Sequence, residues 1–198
     1  MWWTDLGSAD PSVPTGGPGI DPLARVHPTA VLTGDVRIGP RTVICAGAYI
    51  EGPVSIGADC LVGNNAMIRG ATSIGSRTRL GFAVEVKGAR IGEDVSIGPQ
   101  SFVADSRVDD HAYLAAQVRT SNQRLDRRNV RVMHEGRLID SGRDKLGCHI
   151  GARASLGVQV IVLPGRVVAA DALFEPRITI CRNMPTGRYR VAQILENY

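Results

Sequence analysis

The sequence predicts an all-β chain wound as a parallel β-helix of hexapeptide repeats, and three observations predict it. Aliphatic residues recur every six positions at Val26, Leu32, Ile38, Ile44, Ile50, Ile56, Val62, Ile68, Ile74, Leu80 and Val86. If about one residue in four is Ile, Leu or Val, eleven in phase arise by chance roughly once in a million trials. Glycine commonly follows the aliphatic position, as at Gly39, Gly57, Gly63, Gly75, Gly81, Gly92, Gly98, Gly151 and Gly157. Finally, neither common period fits: a helix would carry a six-residue stripe around its cylinder, and a strand pair would alternate with a period of two. A triangular prism does fit. Each side takes six residues and points one aliphatic inward, with a small residue easing the corner, and coils of about 18 residues stack over one apolar column.

Along the chain the elements follow in order. Residues 1–22 are rich in Gly, Pro and Ser, as in Ser12-Val13-Pro14-Thr15-Gly16-Gly17-Pro18-Gly19, and read as a flexible, loosely attached leader. The β-helix is expected over 23–186. Its phase slips by one residue to Ile91, Ile97 and Val103, and again to Val108 and Leu114. Residues 119–146 break the repeat with a polar, basic excursion, and so long a loop in a compact solenoid is usually functional. The pattern resumes at Ile150, Leu156, Val162, Val168, Phe174 and Ile180, and 187–198 read as a short, helical tail over the last coil.

Composition bounds the function. The chain has 198 residues, 43% hydrophobic, 21% charged and 5% aromatic, which suits one folded domain and excludes a disordered polymer. No apolar run approaches a membrane span and the start lacks a secretory signal, so a soluble, cytoplasmic protein is expected. A net charge of +4 with so few aromatic residues argues against nucleic-acid binding. The four cysteines, Cys45, Cys60, Cys148 and Cys181, have no CxxC spacing and read as free, buried thiols. The four histidines have no closely spaced pair, so no metal site is expected.

The stretch 77–147 carries more than the repeat. Phe82-Ala83-Val84-Glu85-Val86-Lys87, Ala89-Arg90-Ile91-Gly92, Asn122 and Asp140-Ser141-Gly142-Arg143-Asp144-Lys145-Leu146-Gly147 closely resemble the acetyltransferase domain of the bifunctional N-acetylglucosamine-1-phosphate uridylyltransferases, especially its archaeal-type relatives. The resemblance covers about 23–186 and lacks the nucleotidyltransferase domain. It implies a left-handed winding and a homotrimer with active sites between neighbouring prisms. It also implies acetyl-CoA, or another acyl-CoA, as co-substrate for the amine of a sugar phosphate. Matched one at a time, Arg69 and Lys87 fall where the family holds the sugar phosphate, a reasonable pairing of guanidinium and ammonium with a dianion. Asn122 falls on the loop asparagine that reaches the acceptor from an adjacent subunit, Arg128 replaces a loop lysine, and Asp105 is kept.

The resemblance breaks at the chemistry. The family's Gly-His-Leu-(Thr/Ser)-Tyr segment supplies the base that removes the acceptor's ammonium proton, which acyl transfer requires. Here the segment is Gly98-Pro99-Gln100-Ser101-Phe102, with proline at the histidine and phenylalanine at the tyrosine. The small-residue corner for CoA becomes Phe174-Glu175-Pro176-Arg177, where Arg177 could meet CoA phosphates. His111 and Glu85 are the candidate replacement bases; Glu85 could equally be an ion-pair partner for Lys87 or Arg90. Two readings therefore stay open. One is an acyl-CoA-dependent acyltransferase acting on a small, anionic, amine-bearing substrate. The other is a repurposed or non-catalytic trimeric relative, serving as a binder or scaffold or running different chemistry in the inherited pocket.

Overall fold

The computed structural model describes residues 1–6 and 19–192. Three parallel sheets form the faces of a prism. Face one runs from Gly19–Ile20 to Val167–Val168 in eight strands, face two from Arg25–Val26 to Arg188–Tyr189 in nine, and face three from Val31–Thr33 to Thr179–Ile180 in eight. Successive strands of the chain lie on successive faces, so every pairing within a face joins one coil to the next. The periodic aliphatic residues from Ile38 to Ile180 all point inward and are buried. Val26 and Leu32 are only partly buried, because they sit in the first coil, at the open end of the column. No helix of the described residues is long and apolar enough to cross a membrane.

The slips in the period have one location. Ile56 pairs with Ile74, 18 residues on, whereas Ile74 pairs with Ile91, 17 residues on. The missing residue is lost between Val86 and Ile91, where the chain turns from face three to face one. The second slip, from Val103 to Val108, falls at the same corner, and so does the excursion, which leaves after Arg119–Thr120 and returns at His149–Ile150. Arg119–Thr120 still pairs with Phe102 and with Ile161–Val162, so the departure begins later than 119. The excursion is not all loop: Arg131–His134 and Arg137–Asp140 pair as an antiparallel hairpin.

Both ends of the chain differ from expectation. Gly19–Ile20 already pairs with Arg37 and Ile38, which puts the β-helix start before 23. Residues 1–6, expected to be loose, are docked: Trp3 and Leu6 are buried with Val130, Val132 and Leu146. Residues 7–18 of the expected leader lie outside the described residues. The tail is not helical over 187–192. Arg188–Tyr189 adds a strand beside Leu173–Phe174, and the Tyr189 ring stacks on Phe174 at 4.7 Å, covering the last coil as a terminal cap must. The rest of the tail, 193–198, lies outside the described residues. Nor are all the thiols buried: Cys60 and Cys148 are, Cys45 is half-buried and Cys181 is exposed.

Candidate functional site

Outward side chains on face three line up in two columns, because parallel strands in register stack like positions. Met67, Glu85 and Phe102 occupy one column; Glu51, Arg69, Lys87 and Ala104 occupy the other. Arg69 and Lys87 are thus neighbours one coil apart, and Glu85 stands two residues from Lys87 on the same surface. Arg69 donates to Glu85 Oε1 from Nε at 3.1 Å and from Nη2 at 2.7 Å. Lys87 Nζ lies 3.4 Å from Asp105 Oδ2, and Asn122 Nδ2 donates to that same oxygen at 2.6 Å. Five of the expected residues, Arg69, Glu85, Lys87, Asp105 and Asn122, therefore form one strip on face three and its corner with face one. Their charge is half-buried rather than solvated: Lys87 and Asp105 side chains are 25% and 18% exposed.

Asp105 holds a backbone conformation that four other coils give to glycine. Its φ is +47°, at the corner where Gly34, Gly70, Gly88 and Gly165 also have positive φ. Asp tolerates this region better than most residues, yet the choice still needs a reason. Gly88 supplies the room: a Cβ there would meet Asp105 Oδ1 at 2.7 Å. The carboxylate lies over Gly88, within reach of both Lys87 and Asn122.

Three expected residues do not join the strip. His111 sits on the opposite side of the prism, at the corner between faces one and two, away from the strip within one chain. That corner carries Arg41, Asp59, Arg77, Asp94, His111, Arg153 and Asp171, one per coil, all with φ near +60°. Their side chains alternate in charge and pair with each other. Arg41 binds Asp59 through two bonds of 2.6 and 2.7 Å, Arg77 binds Asp94 at 2.9 and 2.8 Å, and Arg153 binds Asp171 at 2.6 and 2.8 Å. His111 Nδ1 faces Asp94 Oδ2 at 3.8 Å, as a rung of this ladder. The hydrogen bonds and charge of Arg77 hold the Asp94 carboxyl below the usual carboxylate range. Arg128 is exposed on the excursion, its backbone N–H bonded to Asp126. Arg177 stands at the corner between faces two and three, its Nε 3.3 Å from Gln159 Oε1.

Arg177 ends a second ladder that sequence reading missed. Gln159 donates to Gln117 at 2.8 Å and Gln117 donates to Gln100 at 3.0 Å, so three amides and a guanidinium run along the corner beside Pro99. The spacing Gln100, Gln117, Gln159 follows the coil length once the excursion is removed, and that was the available signal. Next to the ladder a shallow groove is lined by Ala83, Glu85, Gln100, Phe102, Gln117 and Arg119. Glu85 therefore faces two ways, toward Arg69 and into this groove. A further groove, between the excursion and the last coils, brings together Arg124, Arg131 and Arg166. Arg166 is half-buried, and burial pushes its pKa down, with Arg124 adding repulsion.

On the face-one side the excursion's return places His149 Nε2 2.7 Å from Asp109 Oδ2, with the Trp2 ring 5.8 Å above the imidazole. Burial alone would raise the Asp109 pKa, but hydrogen bonds from His149 and Arg107 outweigh it and hold the carboxyl low. The His27 ring bonds locally to Thr29, and His134 meets the edge of Trp3.

Residues 15–123, more than half of the chain, match the family of the GMPPB C-terminal domain. The uncharacterized acetyltransferase YaiX of Escherichia coli is 53% identical in strain K12 and 52% identical in strain 536, over 114 residues that make up 58% of this chain and 50% of YaiX. A bifunctional sugar-1-phosphate nucleotidylyltransferase/acetyltransferase of Sulfurisphaera tokodaii is 35% identical over 107 residues, 54% of this chain and 27% of that protein. The matches thus span half the length of these curated relatives or less. Among solved structures, LpxA of Bacteroides fragilis, a UDP-N-acetylglucosamine acyltransferase, aligns over 87% of this chain and 67% of its own with a TM-score of 0.65 and 17% identity. At that identity the comparison shows a common fold, the left-handed parallel β-helix.

Proposed function

The chain belongs to the family of the GMPPB C-terminal domain, among the hexapeptide-repeat acetyltransferases, and from that membership we propose an acyl-CoA-dependent acyltransferase acting on the amine of a sugar-phosphate-like or other anionic acceptor. The observation that carries this reading is the pair Arg69 and Lys87 on adjacent coils, with Glu85 between them and Asn122 at their edge. Two cations held half-buried by carboxylates can trade part of that pairing for a phosphate dianion, which accepts several charge-assisted bonds at once.

In the reaction the acceptor's ammonium must first lose a proton. With Pro99 at the family's histidine position, Glu85 is the group at the groove able to take it. The freed amine lone pair attacks the thioester carbonyl carbon, the C–N bond forms, the C–S bond breaks, and the departing CoA thiolate takes up the second proton that the nitrogen sheds as it becomes an amide. Holding both reactants in one groove supplies much of the acceleration. For the CoA phosphates two places offer guanidinium groups: Arg177, held by one 3.3 Å bond to Gln159, and the groove where Arg131 and Arg166 join Arg124, itself paired with Asp126. A homotrimer completes the reading. Leu61, Met67, Phe82, Tyr113, Val158 and Ile161 are exposed along the corner of faces two and three, beside the Glu85 groove, and a second copy packed there would wall it.

The self-paired glutamine ladder beside Pro99 favours a second reading, a trimeric sugar-phosphate binder that no longer transfers. Thiol release from acetyl-CoA in the presence of glucosamine 1-phosphate separates the two. The transferase reading expects release that needs both substrates and a KM for the acceptor raised at least tenfold in Lys87→Ala. Binding of the sugar phosphate with no thiol release would leave the binder.

A further inference from the structure

We propose that residues 1–6 are a clasp that fixes the excursion and thereby positions Asn122 against Asp105 and Lys87, a role that rests on the acceptor site described above. The excursion has its own small core, separate from the prism's. Val130, Val132 and Leu146 come from the excursion, and Trp3 and Leu6 close it from the N-terminal segment. Trp3 and Leu6 are 4% and 3% exposed, so this is burial and not a surface graze. The segment touches the excursion at points from Val130 to its return. Besides Val130 and Val132 on the outgoing limb, Trp3 meets His134 at the hairpin, Arg143 Nη2 donates to the Leu6 carbonyl at 2.9 Å on the returning limb, and Trp2 covers His149 where the coil resumes.

Leu146 links that core to the site. Its side chain is fully buried against the clasp, while its backbone N–H donates to the Asn122 carbonyl at 2.8 Å. A bridge between Gln123 and Lys145 holds the two limbs together one residue farther out. Asn122 then gives its side-chain N–H to Asp105, which faces Lys87. Four links therefore run from a buried tryptophan to the phosphate clamp: Trp3 with Leu146, Leu146 with Asn122, Asn122 with Asp105, and Asp105 with Lys87. Removing Trp3 and Leu6 would expose Val130, Val132 and Leu146 to water, and the limb that fixes Asn122 would lose its apolar anchor. The prism does not depend on this cluster, because its column is filled by the coils themselves.

The test uses the full chain with Trp3→Ala and Leu6→Ala combined, and Trp3→Phe as the conservative control. Hydrogen exchange at the Leu146 amide is expected to quicken at least tenfold in the double variant, with the Val86 and Ile97 amides unchanged. Glucosamine 1-phosphate is expected to bind several-fold more weakly, and Trp3→Phe to restore most of both. Both tryptophans of the chain lie in the clasp, so their emission reports docking directly. Unchanged exchange at Leu146, or faster exchange with unchanged sugar-phosphate affinity, would overturn the proposal. A wild-type chain that does not bind the sugar phosphate would instead overturn the acceptor reading, while the exchange result would still decide whether the clasp holds Leu146.

Discussion

Two corners of the same prism handle charge in opposite ways. Between faces one and two, every coil from Arg41 to Asp171 offers one residue in the same backbone conformation, and arginine and aspartate pair along the stack. The corner between faces three and one is irregular. It loses a residue twice, carries four glycines and Asp105 in the left-handed region, and lets out the whole excursion. Repetition with complementary neighbours satisfies charge within the ladder, whereas broken repetition brings the half-buried Lys87, Asp105 and Asn122 together. On the proposed function, the chemistry follows the irregularity.

The comparison breaks most visibly at the return of the excursion. A Cβ on Gly147 would press on the Ala104 carbonyl and Ser106 Oγ, so Gly147→Ala is expected to destabilise the chain by about 3 kcal/mol or more. Chemical denaturation measures this, and a change below about 1 kcal/mol would show that the corner yields. At the site, Asn122→Ala removes the donor to Asp105 and should weaken glucosamine 1-phosphate binding about tenfold without moving the unfolding midpoint by more than a few degrees.

The regular corner predicts a pH response. Asp59, Asp94 and Asp171 are held below the usual carboxylate range by hydrogen bonds from Arg41, Arg77 and Arg153. A folded pKa lower than the unfolded one means stability that is full above the unfolded value, near pH 4, and is lost as pH falls through the folded values. Denaturation midpoints should therefore be flat from pH 7 to about 4 and fall below it, less steeply in Asp94→Asn. These pairs are exposed, so the effect of each is small. A midpoint indifferent to acid would sink the ladder as a contributor. Smallest of all is His111→Ala, expected to change stability by less than about 0.5 kcal/mol and acyl transfer not at all.

The prism's inward column was legible in the sequence, because each inward aliphatic must recur with the coil and any slip shows at once. The strip of Arg69, Glu85, Lys87, Asp105 and Asn122 was legible only through resemblance, since a single outward cation has no periodic signature. The place of His111 on the prism was not legible for a related reason. Its distance from Lys87 along the chain says nothing about which corner it occupies until positions are counted around the prism, where it falls in step with Asp94 and Arg153. The clasp left no trace in the repeat. Trp2 and Trp3 meet residues over 120 positions away, and a stretch rich in Gly and Pro behind them reads as loose whatever its end touches. The tail strand at Arg188–Tyr189 was hidden for another reason: it pairs with Leu173–Phe174 only 15 residues back, out of phase with the 17- or 18-residue coil.

The central claim is that the irregular corner binds the anionic acceptor and the regular one does not. Calorimetric titration of glucosamine 1-phosphate into the wild type, Lys87→Ala and His111→Ala tests it most directly. The account predicts binding by the wild type and His111→Ala with the same affinity, and at least tenfold weaker binding by Lys87→Ala. Equal affinity in Lys87→Ala, or loss of binding in His111→Ala, would contradict it.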